Sequence, residues 1–166
     1  MLTAFEVQRT DEGVHLDFAT TFELSPSVEA ALQKGVALNF VVEVQVFRER
    51  WYWRNARVAR AQKMWRLSYQ PLTRQYRVGF GGLNQAFDQL PEALAALQRS
   101  AHWKVADAAE VATPGQYYLE FTYQLDTTLL PRPMQIGIGG QTDWALMIQK
   151  THRLPPLTTA PTPAPE

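Results

Sequence analysis

Cysteine is absent from the 166 residues. That one absence excludes disulfides, thiol nucleophiles and Cys-based zinc or iron–sulfur sites together. Histidine is scarce: His15, His102 and His152 stand far apart, in no HxH or HExxH spacing, so metal ligation has little to build on. Ser25, Ser27, Ser68 and Ser100 are the only serines. None sits in a GxSxG elbow, and none is followed by the xxK of a penicillin-binding site. No apolar run approaches the roughly 18 residues that a membrane-spanning helix requires. Net charge is absent too, with Lys+Arg 16 against Asp+Glu 16. The sequence therefore predicts a non-enzymatic chain that does not span a membrane by helix and takes no cofactor and no metal.

What is present is a core. Hydrophobic residues make up 46% of the chain, enough for one domain and too few for two. The domain is expected over residues 1–154. Residues 155–166 hold five of the eleven prolines and are expected to form a disordered Pro/Thr/Ala-rich tail. At the start, Leu2 to Val7 is already strand-like, with neither a charged n-region nor an apolar h-region. That abruptness suggests that Met1 stands where an export signal has been removed.

Alternation dominates between the ends. Val14, Leu16, Phe18, Phe22 and Leu24 share a parity beyond the turn residues Asp11-Glu12-Gly13, predicting a hairpin with the preceding strand. Val36, Leu38, Phe40, Val42, Val44 and Val46 form a longer stripe. Its parity slips at Phe47, Trp51 and Trp53, as a β-bulge would make it. Trp65-Leu67-Tyr69 and Tyr76-Val78-Phe80 flank a Pro-containing loop, Gln70 to Arg74. Further strands are expected at Tyr117–Leu125, Met134–Ile138 and Trp144–Ile148.

Two segments carry helical spacing. Ser25-Pro26 predicts an N-cap followed by Pro at the first position, with the helix stopping at Gly35. Phe87, Leu90, Leu94 and Leu97 predict a second helix, with Asp88 as cap and Pro91 in the first turn. Strands without a βαβ rhythm, joined by two short helices, predict a mainly β fold. The expected architecture is an antiparallel β-sandwich, immunoglobulin-like in general form.

Gly79-Phe80-Gly81-Gly82 and Gly137-Ile138-Gly139-Gly140 open no helix with a following Lys-Ser/Thr, so they are expected at turns and bulges. Asp126-Thr127-Thr128 lacks the Gly of an aspartic-protease motif and has no second copy. His15 has the opposite parity to Val14 and Leu16 and is expected to face solvent.

The least random feature is electrostatic. From Arg48 to Arg77 there are nine basic residues and one acid, Glu49, so this stretch is +8 and the remainder −8. Arginine outnumbers lysine twelve to four, and aromatic residues interleave with the basic run. Planar guanidinium groups suit carboxylate and phosphate, and Trp adds contact area. The candidate binding residues are Arg48, Arg50, Trp51, Trp53, Arg54, Arg57, Arg60, Trp65 and Arg66. The matching partners are an envelope protein or an anionic envelope surface. Nucleic acid is disfavoured by the overall pI near 6.8. The alternative is a solvated face whose charges pair within the same fold. Aromatic residues at 11% pack a core, or else line a cavity for an apolar or amphipathic ligand carried between the sheets.

Three segments taken in order resemble a known family. They are Trp65 to Val78 (Trp-Arg-Leu-Ser-Tyr-Gln-Pro-Leu-Thr-Arg-Gln-Tyr-Arg-Val), Phe87 to Leu94 (Phe-Asp-Gln-Leu-Pro-Glu-Ala-Leu), and Leu125-Asp126 through Leu130-Pro131-Arg132-Pro133-Met134-Gln135 to Asp143-Trp144. The order is similar to a family of small exported proteobacterial proteins classed only as a domain of unknown function, over about Leu2 to Leu154. The resemblance implies a periplasmic location, a signal peptide before this chain, and a loose association with sensor-kinase genes. It supplies no catalytic or binding residues. Two prolines around Arg132 force an extended crossing, from which Arg132 could display its guanidinium as a further recognition residue. The expected function is a periplasmic interaction module for an envelope or signalling partner, working through the basic and aromatic hairpin.

Overall fold

A computed structural model describes residues 1–50, 54–126 and 146–156. Among them are nine strands: β1 (Leu2–Thr10), β2 (Gly13–Thr20), β3 (Leu38–Arg48), β4 (Ala56–Gln70), β5 (Gln75–Phe80), β6 (Leu83–Phe87), β7 (Arg99–Asp107), β8 (Tyr117–Asp126) and β9 (Met147–Arg153). Helix α1 (Pro26–Gln33) lies between β2 and β3, and α2 (Leu90–Leu97) lies between β6 and β7. The strands form a three-stranded sheet, β1-β2-β7, and a six-stranded sheet, β6-β5-β4-β3-β8-β9. Every pairing is antiparallel. The two sheets pack face to face as a β-sandwich.

The alternating stripes become its interior. Leu38, Phe40, Val42, Val44 and Val46 of β3 are fully buried, beside Tyr117, Leu119, Phe121, Tyr123 and Leu125 of β8. The small sheet answers with Val14, Leu16 and Phe18 of β2 and Trp103 and Val105 of β7. Rings meet between the sheets: Phe18 lies edge-on to Phe121 at 5.0 Å, and Phe5 to Phe121 at 5.3 Å. Tyr123, fully buried, donates its hydroxyl proton to the Leu97 carbonyl at 2.6 Å. Burial raises its pKa far above the usual phenol value and keeps it neutral.

Helix α1 forms as its cap predicts. The Ser25 hydroxyl accepts from the Val28 N–H at 3.3 Å, Pro26 follows, and the chain turns at Gly35 with φ +96°. Helix α2 starts one residue later than Asp88 implies, with Gln89 at the N-cap making no side-chain bond. Phe87 ends β6 instead of opening the helix. Gly81 and Gly82, at φ +57° and +83°, make the two-residue turn joining β5 to β6. Gly13 is required sterically, because a Cβ there would lie 2.3 Å from the Ala106 carbonyl oxygen.

β6 and β7 extend the sequence reading. β7 pairs with β2 through two register shifts, and His102 within it takes φ +52°. These irregularities break the alternation that would have revealed the strand. They also correct the expectation for His15. It is 6% exposed, because its ring stacks on His102 at 4.3 Å and 6°. The strands expected over Met134–Ile138 and at Trp144 lie outside the described residues, as do Trp51, Trp53, Arg132 and the tail from residue 157.

Candidate interaction surface

The six-stranded sheet has one face against the small sheet and one face turned away from it. β4 supplies both faces. Its inward side carries Ala59, Ala61, Lys63, Trp65 and Leu67, opposite Val46, Val44, Val42, Phe40 and Leu38 of β3. Its outward side carries Arg60, Gln62, Met64 and Arg66.

Arg57 lies three residues before Arg60, a spacing that places side chains on opposite faces of a regular strand. The register shifts between Val46 and Phe47, so that Val58 is passed over and Arg57 pairs with Phe47. The stripe predicts a parity slip in β3 itself; instead β3 keeps its parity against β8 through Arg48, Phe47 faces outward, and the extra residue sits on β4. Phe47 stacks outward on Tyr118 at 5.2 Å, and Arg57 joins that face. Arg77 of β5 pairs with Ser68 of β4 and is exposed. Arg57, Arg60, Arg66 and Arg77 thus share one solvent-facing surface.

Their pairing is sparse. Arg60 meets Glu43 at 2.9 Å, and that hydrogen bond lowers the Glu43 pKa and raises that of Arg60. Among the described residues, Arg57, Arg66 and Arg77 have no ion pair. Before β4, polar contacts tie Arg50, Arg54 and Asn55 together. Asn55 accepts from the Arg50 N–H at 3.2 Å and donates to the Tyr118 hydroxyl at 3.0 Å, while Arg50 Nε donates to the Arg54 carbonyl at 2.7 Å. Arg153 of β9 reaches Glu49 at 3.3 Å. An open hollow of about 440 Å³ beside Glu49, Arg50, Asn55 and Gln116 completes this end.

The structure separates two residues from the group that the sequence assembled. Trp65 is 5% exposed, stacked between Phe80 at 5.6 Å and Tyr123 at 6.1 Å. It belongs to the core, because it shares parity with Leu67. Arg48 takes the inward parity of Val46 and lies half-buried beside Gly115, whose added Cβ would meet Arg48 Nε at 3.3 Å. Arg57, Arg60 and Arg66 remain together on the outward face, Arg50 and Arg54 lie before β4, and Arg77, outside the group that the sequence assembled, joins the face from β5. Its signal was available, since Arg77 alternates with the core residues Tyr76 and Val78.

Lys63 also escaped the sequence reading. It points inward, donates to Ser100 Oγ at 2.7 Å, and lies over the rings of Trp103 and Phe80 at 5.1 and 5.4 Å. Burial lowers its pKa. Beside Phe80 runs a groove of about 500 Å³, lined further by Trp65, Val78, Leu83, Asn84, Gln85 and Ala96.

No group of three or more His, Cys, Asp and Glu side chains among the described residues could hold a metal ion, and no described helix is long and apolar enough to cross a membrane. The model of the family named domain of unknown function DUF4390 matches residues 1–154. The chain belongs to that family. No curated protein and no solved structure matches it.

Proposed function

We propose that this DUF4390 chain is a non-enzymatic, exported interaction module, resident in the periplasm, that binds an acidic envelope or signalling partner through the outward face of its large sheet. The observation that supports the reading is the set Arg57, Arg60, Arg66 and Arg77 on one exposed sheet face, with Arg60 alone ion-paired among the described residues. Arg57, Arg66 and Arg77, without an ion pair among the described residues, offer bidentate carboxylate recognition with little desolvation to overcome beforehand. The zero-cysteine composition is compatible with an oxidising compartment, and the resemblance to an exported family supports the location.

In-cell cross-linking tests it, comparing the chain with an Arg54→Glu/Arg57→Glu/Arg60→Glu variant. Loss of the cross-linked adduct from a variant that still folds is the expected result. An unchanged set of adducts would overturn the reading. Release of the protein by osmotic shock, ahead of cytoplasmic markers, checks the location.

A further inference from the structure

An open sheet edge offers unpaired backbone groups to any passing strand unless charge, proline or a bulge blunts it. Among the described residues the edge strands are β1, β7, β6 and β9. β1 carries Glu6 and Arg9, β7 carries Arg99, Lys104 and Asp107, and β9 carries Lys150 and Arg153. β6 is Leu83-Asn84-Gln85-Ala86-Phe87, with no charge and four residues exposed. It is the unguarded edge.

Its register defines what it offers. A two-residue turn closes on the hydrogen-bonded pair Phe80 and Leu83. Bonded and non-bonded pairs alternate along an antiparallel ladder, so the N–H and C=O of Asn84 and Ala86 point to the open side. On the inward face of β6, the groove beside Phe80 and Leu83 could take an apolar side chain; these two are 42% and 78% exposed. On the outward face, Arg77 stands opposite Ala86, which is too short to screen it. A further strand would lie about 10 Å from β5, two strand spacings away, a gap that Arg77 and an acidic side chain bridge together.

We propose that β6 takes up an extended segment of a partner protein as a seventh strand of the large sheet, with acidic side chains facing Arg77 and apolar ones entering the groove. The proposal rests on the basic-face reading and specifies how the partner is held. Charge complementarity selects this occupant over a second copy of the chain. A β6-to-β6 pairing would bring two copies of Arg77 toward one another.

The test is an amide-exchange and affinity titration of the intact chain with a blocked peptide alternating Leu and Glu. Slowed exchange at Asn84 and Ala86 is expected on binding. Ala86→Pro removes an open-edge N–H without breaking a ladder bond and should weaken affinity by about tenfold or more, as should Leu83→Asp. A Leu–Lys peptide should not bind. The proposal is overturned by absence of binding to the Leu–Glu peptide, by protection at another edge, or by affinity that survives Ala86→Pro. Protection of both amides in the free chain would overturn it too, whether the cover is residues 127–145 or a second copy seen in sedimentation. If Ala86→Pro preserves the in-cell adduct that the Arg54/Arg57/Arg60 reversal removes, strand addition fails and the basic-face reading stands. An adduct lost with Ala86→Pro but kept by the charge reversal would have the basic-face reading fail instead.

Discussion

Along β3 the inward side chains are Leu38, Phe40, Val42, Val44 and Val46, all buried, while of the outward ones, Asn39, Val41, Glu43, Gln45 and Phe47, only Val41 is buried. On β4 the contrast is sharper, with Trp65 and Leu67 inside and Arg57, Arg60 and Arg66 outside. One set of strands therefore serves two tasks. The inward parity supplies the apolar burial that stabilises the fold. The outward parity, Val41 and the Phe47–Tyr118 stack apart, is left to carry charge.

The largest effects should separate these faces. Phe121→Ala removes a buried ring from the contact with Phe5 and Phe18 and should cost about 3–5 kcal/mol in urea unfolding. Arg66→Ala on the same sheet should stay within about 0.5 kcal/mol. Comparable losses at the two sites would break the contrast.

Next in size is Tyr123→Phe. It leaves the Leu97 carbonyl without its donor and should cost about 1–3 kcal/mol, read as a shifted denaturation midpoint. A neutral result would mean that water replaces the hydroxyl.

A smaller effect tests the small sheet. The His15 pKa is lowered, by burial first and by the neighbouring His102 second, with Glu12 and Asp17 opposing and Lys104 reinforcing the shift. The folded state thus binds the proton less readily than the unfolded one. Stability from this group is complete above the unfolded value of 6.5 and falls as pH drops below it. Melting temperature should decline on acidification, and His15→Phe, which keeps the stack, should flatten that part of the profile.

Smallest is Glu43→Gln. It breaks the exposed pair with Arg60 and should cost no more than about 1 kcal/mol, while adding one unpaired guanidinium to the outward face. Binding of an acidic partner should tighten slightly.

The inward parity was the legible part of the molecule. The stripes of β2, β3 and β8, the Ser25-Pro26 cap and the Gly81-Gly82 turn all follow from period and turn chemistry, whereas the slip expected at Phe47 is a bulge on the neighbouring strand. β7 was hidden because two register shifts and the positive φ of His102 disturb its period. His15 was misread for the same reason, since its burial depends on a ring from that hidden strand. In the basic stretch, closeness in sequence suggested one cluster, yet parity divides it. Trp65 and Arg48 go inward with Leu67 and Val46, and Arg77 joins from the next strand. Lys63 shows the converse, a cation on the inward parity held by Trp103, Phe80 and Ser100, contacts that only the folded chain brings together.

The most direct measurement sets folding against binding in one variant, Arg57→Glu/Arg66→Glu/Arg77→Glu. Its thermal melt and its affinity for the cross-linked partner would be compared with those of the unaltered chain. The account predicts an almost unchanged melting temperature and an affinity that is lost. Retained affinity, or a melting temperature that collapses, would contradict it, because the outward face would then be either idle or part of what holds the sandwich together.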